Sequence, residues 1–409
     1  MNFVRNLVYR YRNAVSRFSI APRPVLKTTK TLSQRYFSQE KPLNVLFVAN
    51  GIIPTLGVSF LHPLSDLIAS GCIKDGYLTE VDLKEYAKLS VNKRAKMQEH
   101  LEQVWTDFQP DLVVSCRYSG PLSAEITTLC NEQNIPFILY LDDDLLNVPK
   151  ELGPEKYAYH NHPKRTGAIR LSMEQADVIY SSTEELSRKI QSDTCNSNIV
   201  TAQIFCAGQE FSTAFDKDSR VFGYMGFGHS YDLDVALDGI VSLLSRRTDV
   251  SFELFGTIPK PEVLNQFGSR VKVRPPVRSS YMEFMQIMNE LDWAVGITPL
   301  ADLEFNRFKA NTKWVEYSSA GIAVVSSDHL VYRNSLLPDN GLLVSKNEDW
   351  GAAIEKLLDD AQLRKSVVFN AQRKIQNSFN QKQLQDQVLE LFQRVGINLD
   401  ITETTRQAA

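Results

Sequence analysis

Short apolar runs of strand length recur along this chain, separated by segments with helical spacing. That alternation constrains the fold more than any other feature, because strands joined by helices pair in parallel and are covered on both faces. "LNVLFVAN" ends at Gly51, as a buried strand should, and "LHPLSDLIASG" follows with a helical pattern. "PDLVVSC" (110–116), "IPFILYLDDD" (135–144) and "ADVIYSS" (176–182) are further buried strands. The last leads into "TEELSRKI", for which Thr183 or Ser182 offers an N-cap. After a polar break, "STAFDKDSR" (212–220), the pattern restarts. The new strands are "VFGYMGF" (221–227), "VSFELFG" (250–256), "RVKVRPP" (270–276), "LDWAVGITP" (291–299), "GIAVVSS" (321–327) and "NGLLVS" (340–345).

The restart predicts an α/β chain of two doubly wound Rossmann-like domains facing a cleft, at 41–210 and 220–375. Residues 376–409 read as a C-terminal helix and tail, with Leu384, Val388, Leu391, Phe392 and Val395 on one stripe. With 409 residues, 43% of them apolar, the chain can fill two cores. Its net charge of −3 gives no case for nucleic-acid binding. Five cysteines without metal-ligand spacing read as reduced thiols of a cytoplasmic protein.

Charge is uneven. Residues 1–40 carry eight Lys/Arg against Glu40 alone, and are set aside from the fold. Phe3, Leu7, Val8, Tyr11, Val15 and Phe18 recur there at helical spacing among arginines, as in a basic amphipathic helix lying on the inner face of an anionic membrane. Two other readings stand beside it: an organelle-targeting segment over residues 1–37, with "RYFS" (35–38) similar to a processing site, and a plain basic tail.

Lys309, Lys313 and Glu316 stand at i, i+4, i+7 in "EFNRFKANTKWVEYSSAG". A helix capped by Asn306 and closed by Gly321 would put all three on one face, with Lys309 in the first turn. Amides and ammonium there suit a diphosphate, and a carboxylate further along suits ribose hydroxyls. A solvated Lys–Glu face fits the same spacing.

"KWVEYSSAGIAVVSS" resembles the donor-binding segment of GT-B-fold glycosyltransferases of the retaining group 1 type. Phe305, Asn306, Lys309, Lys313, Glu316 and Tyr317 are similar to the "FN..K...K..EY" of a subgroup that makes polysaccharides and O-antigens. "ILYLDDDLLNVP" (138–149), "ADVIYSSTEELSRKI" and "VFGYMGFGHSYDLD" extend the likeness over most of residues 44–375. The resemblance implies a hexosyltransferase-like enzyme that moves a sugar from a nucleotide-diphospho-sugar to a glycan or lipid-linked acceptor hydroxyl. It implies retention of configuration, with a role in cell-surface polysaccharide or glycolipid synthesis.

By the resemblance Glu316 holds the donor ribose and Lys309 the diphosphate, with Lys313 and Asn306 beside them. Gly226, Gly228 and His229 form the loop that approaches the phosphates. Ser59 and His62 follow the first strand, on the acceptor side. The pattern departs at Phe308, where the wider family carries a glutamate; Asp302 or Glu304 are candidate substitutes.

The triplet Asp142, Asp143, Asp144 ends a buried strand. In a single-sheet GT-A enzyme it would bind Mn or Mg, but the restart at 220 argues against that fold. In the GT-B frame Asp143 or Asp144 would orient the acceptor hydroxyl or stabilise oxocarbenium character, and helix capping explains the others. No metal or further cofactor is required. His160 and His162 read as an exposed loop, since no third ligand has recognisable spacing. Two alternatives accompany the transferase: a non-catalytic nucleotide-sugar-binding protein, which the missing glutamate motivates, and a sugar-nucleotide epimerase.

Overall fold

A computed structural model describes residues 30, 32–208, 219–228, 230–277 and 280–400. The basic segment expected at 1–29 lies outside these, as does His229. Residues from Leu32 onward form one compact unit. No helix among the described residues is long and apolar enough to cross a membrane.

Fourteen strands lie along the described residues. They are β1 (Arg35–Phe37), β2 (Leu43–Ala49), β3 (Ile73–Thr79), β4 (Leu112–Cys116), β5 (Phe137–Leu141), β6 (Val178–Ser181) and β7 (Ile199–Thr201), then β8 (Val221–Gly226), β9 (Ser251–Gly256), β10 (Val271–Arg274), β11 (Val295–Thr298), β12 (Ala323–Ser327), β13 (Leu342–Val344) and β14 (Ile397–Leu399). Two six-stranded sheets result, ordered β3-β2-β4-β5-β6-β7 and β10-β9-β8-β11-β12-β13, and every pairing is parallel.

Strand periodicity explains why both faces are apolar. On β2, Val45, Phe47 and Ala49 enter one core while Leu46 and Val48 enter the core on the opposite face. On β8, Phe222 and Tyr224 pack on one side and Met225 on the other. Gly223 makes room on that second side, because a Cβ there would stand 2.2 Å from the Trp293 indole.

The strands absent from the sequence reading are edge strands or short. β3, "IKDGYLT", pairs only with β2 and can keep polar residues. The exclusion of residues 35–40 from the fold is corrected: β1 pairs in parallel with β14, and Phe37 is buried. Arg35 fixes this strand by donating to the Asp111 carbonyl at 2.6 Å. The last helix, Gln381–Arg394, starts from a capping box at Asn380 and Gln383. Its Val388, Leu391 and Phe392 pack into the core of the first sheet, so this helix returns to the N-terminal domain.

Candidate functional site

In each sheet the first strand is followed by a neighbour on one side and a later strand on the other. The order reverses between β2 and β4, and again between β8 and β11. Loops leaving adjacent strands there diverge and open a crevice beyond the carboxyl ends. The two crevices meet in one cleft of about 2040 Å³, lined by both domains.

From the C-terminal domain, Gly226, Tyr281, Lys309, Lys313 and Glu316 line it. The charged face forms differently from the sequence expectation. Glu304–Phe308 is a short 3-10 turn, Lys309 is extended (φ −70°, ψ 154°), and the helix α1 is Thr312–Ser319. Asn306 is therefore not its N-cap. It is fully buried, and its amide donates to Asp232 at 2.8 Å and to the Ala301 carbonyl at 2.9 Å. Asp232, also fully buried, accepts from the Ala301 amide at 2.9 Å. This clamp shapes the turn and holds Lys309, whose Nζ stands 3.8 Å from Asp232 and donates to the Tyr231 hydroxyl at 3.5 Å. Gly321 closes α1 at φ +73°, as expected.

Lys313 and Glu316 share one face of α1. The Lys313 ammonium lies 5.2 Å from the centroid of the Tyr224 ring. Burial pulls its pKa down to about 8, against the attraction of Asp232. Burial pushes Glu316 up to about 8, opposed by Lys313. Burial also lowers Lys309, with Asp232 opposing. Trp314 and Tyr317 are fully buried, and the Tyr317 ring fills the space over Gly296.

The N-terminal domain contributes Thr55, Arg117, Asp142, Asp143, Lys156 and His160 to the cleft. Arg117, missed in the sequence, is the residue after β4 and takes a left-handed backbone (φ +54°). A non-glycine residue in that region at a cleft marks a site where strain is tolerated for position. Its guanidinium spans Asp142 at 2.6 Å and Asp143 at 3.0 Å. Asp142 also accepts from Thr55 at 3.0 Å. Burial raises Asp142 to about 6 even with Arg117 lowering it. Arg117 itself is desolvated, yet Asp142 and Asp143 hold its pKa above the ordinary value.

Of the acidic triplet, Asp142 and Asp143 therefore face the cleft and Asp144 does not. Asp144 accepts from the Leu146 amide at 3.2 Å and from Asn147 at 2.9 Å, which is loop capping. Ser59 is corrected as well: it is buried and donates to the Tyr140 hydroxyl at 2.9 Å, away from the cleft. His62 does line the cleft, and burial lowers its pKa. His160 is no loop residue; it ends the helix α2, Pro154–His160, lines the cleft, and is pulled to about 4 by burial and by Arg117. His162 caps the next helix through Lys164.

Phe308 packs into the core of the N-terminal domain, and its carbonyl accepts from Thr183 at 2.8 Å. An apolar plug between domains thus stands at the departure from the glutamate pattern. Asp302 and Glu304 are exposed and do not line the cleft, so neither substitutes. Gly226 borders the cleft, and Gly228 follows with φ +67°. Among the described residues no group of three His, Cys, Asp or Glu could hold a metal ion.

Residues 239–390 match a family model described as glycosyl transferase-like. No curated protein sequence matches the chain. Among solved structures, the chain is similar to sucrose-phosphate synthase from Thermosynechococcus elongatus, at 13% identity and a TM-score of 0.60, over 86% of this chain and 99% of that one. It is similar to Anabaena HepE, solved in complex with UDP-glucose, at 14% identity and 0.60 over 86% and 99%. A UDP-forming trehalose-phosphate synthase from Burkholderia xenovorans matches at 12% identity and 0.55 over 86% and 99%. The two facing Rossmann-like domains are thus the GT-B fold of these proteins.

Proposed function

We propose that this chain is a glycosyltransferase that moves a sugar from a nucleotide-diphospho-sugar to an acceptor hydroxyl. The observation that carries it is the meeting, at two switch points, of a cationic wall and an acidic wall. Lys309 and Lys313 stand on the C-terminal side, within the stretch that matches the glycosyl transferase-like model, and Asp142 and Asp143 stand opposite.

In the reaction the bond from the sugar's anomeric carbon to the diphosphate oxygen breaks, and a bond to the acceptor oxygen forms. Negative charge grows on the leaving diphosphate. Ammonium groups fixed beforehand in a cleft of low dielectric stabilise it most at the transition state. Glu316, held protonated near neutrality by burial, can donate to one ribose oxygen and accept from the other hydroxyl. Asp143 would orient the acceptor hydroxyl and stabilise positive charge on the sugar ring, with Arg117 fixing its carboxylate. We take the reaction to retain anomeric configuration, to run in the cytoplasm, and to serve cell-surface polysaccharide or glycolipid synthesis. A UDP-sugar is the first donor to try, since HepE was solved with UDP-glucose.

The test has two parts. A thermal-shift panel of UDP-, GDP- and dTDP-sugars should give stabilisation by one base. Lys309→Ala and Glu316→Ala should then lose transfer while keeping a cooperative thermal transition; full activity in both would overturn the donor site. The placement of Phe308 favours one second reading, a binding protein that does no chemistry. Tight nucleotide-sugar binding without nucleotide release against any acceptor would select it.

A further inference from the structure

Building on that donor site, we propose that Lys156, a residue of the N-terminal domain, is a further ligand of the donor diphosphate and grips it from the domain opposite Lys309 and Lys313. Selection of diphosphate over monophosphate then becomes a joint property of the two domains.

The geometry begins with α2. Gly153 (φ +97°) turns the chain and Pro154 starts the helix, which projects Lys156 across the cleft. Its Nζ donates to the Phe227 carbonyl at 3.3 Å, in the turn that leaves β8. The next residue is Gly228, in the left-handed region, and a Cβ there would stand 2.4 Å from the Lys156 Nζ. The ammonium therefore occupies space that only glycine leaves open, at the loop whose backbone can approach a phosphate most closely.

Its charge has no carboxylate partner within 4 Å among the described residues. Asp143, the nearby acid, is already engaged by Arg117 at 3.0 Å. A neutral carbonyl is a weak counterpart for an ammonium. Lys309 approaches the same region from the other domain, and its charge, after burial, depresses the Lys156 pKa. Two cations that line one cleft repel, and an anion bound between them relieves that repulsion.

The direction of the ligand follows. If Glu316 takes the ribose, as proposed, the nucleoside end rests on the C-terminal domain and the second phosphate points towards the N-terminal domain, from which Lys156 lines the same cleft. Removing a charge-assisted hydrogen bond at that phosphate should weaken diphosphate binding selectively.

Isothermal titration of the full chain, as wild type, Lys156→Gln and Lys156→Arg, with UDP, GDP, dTDP and the matching monophosphates, tests this. Lys156→Gln should bind the preferred diphosphate about tenfold more weakly or worse, and its monophosphate within about twofold of wild type. Lys156→Arg should restore most of the diphosphate affinity. Unchanged diphosphate affinity in Lys156→Gln would overturn the proposal. Equal losses on mono- and diphosphate would overturn it too, by making Lys156 a strut between domains. Wild-type protein that binds no nucleotide in the panel would instead sink the donor site itself, and this inference with it.

Discussion

Lys313 and Glu316 make donor binding a function of pH in a range that is easy to measure. Glu316 is buried and Lys313 half-buried on one face of α1, and desolvation brings both to about 8 from opposite directions. A bound nucleotide-diphospho-sugar brings negative charge. It favours the ammonium form of Lys313 and the protonated form of Glu316, so binding takes up protons and affinity falls as pH rises through 8. Each group goes from ~90% in its favoured form at pH 7 to ~10% at pH 9, which bounds its own effect at about tenfold. The two are coupled: an ionised Glu316 holds a proton on Lys313, so the combined loss is less than the product of the two. We expect about ten- to thirtyfold weaker binding at pH 9 than at pH 7. Titration calorimetry with the intact nucleotide sugar is the assay, because its diphosphate has no proton to lose in this range. Glu316→Gln should shrink the dependence to that of Lys313 alone. Affinity that stays flat from pH 7 to 9 in the wild type would refute the placement of the donor against this pair.

Two stability predictions follow from other positions. Arg117→Ala leaves Asp142 buried without its counter-charge and should cost about 3 kcal/mol in urea denaturation at pH 8. Arg117 lowers the Asp142 pKa to about 6 against burial, and without it the carboxyl takes a proton at higher pH, so the deficit should shrink as pH falls from 8 towards 6 and level off below 6. Gly223→Ala should cost about 3 kcal/mol by the same measurement, because Trp293 is fully buried, tied to Glu253 at 2.8 Å, and has nowhere to move.

The apolar runs by themselves determine most of the architecture. A strand buried on both faces must be apolar throughout, so β2, β4, β5, β8 and β11 announce themselves in sequence. Their alternation with helices fixes parallel pairing. The restart near 220 marks a second sheet, and the spacing of Lys313 and Glu316 marks one helical face. β3 escaped because an edge strand tolerates polar residues, β7 because it is only three residues long, and β1 and β14 because each needs the other, from distant stretches of the chain, to exist at all.

Tertiary structure alone decided the rest of the site. Asn306 has the chemistry of a cap, but a buried Asp232 far back in sequence claims its amide and moves the helix start to 312. Asp142, Asp143 and Asp144 are equivalent as letters; Arg117 holds the first two at the cleft, and the turn after β5 takes the third as its cap. Lys156 carries no local signal, because its role depends on a glycine in the other domain. Local sequence sets which elements form, through periodicity and capping. Which side chains meet across distant stretches of chain is settled by packing and by the pairing of buried charge, and no window of sequence contains both partners.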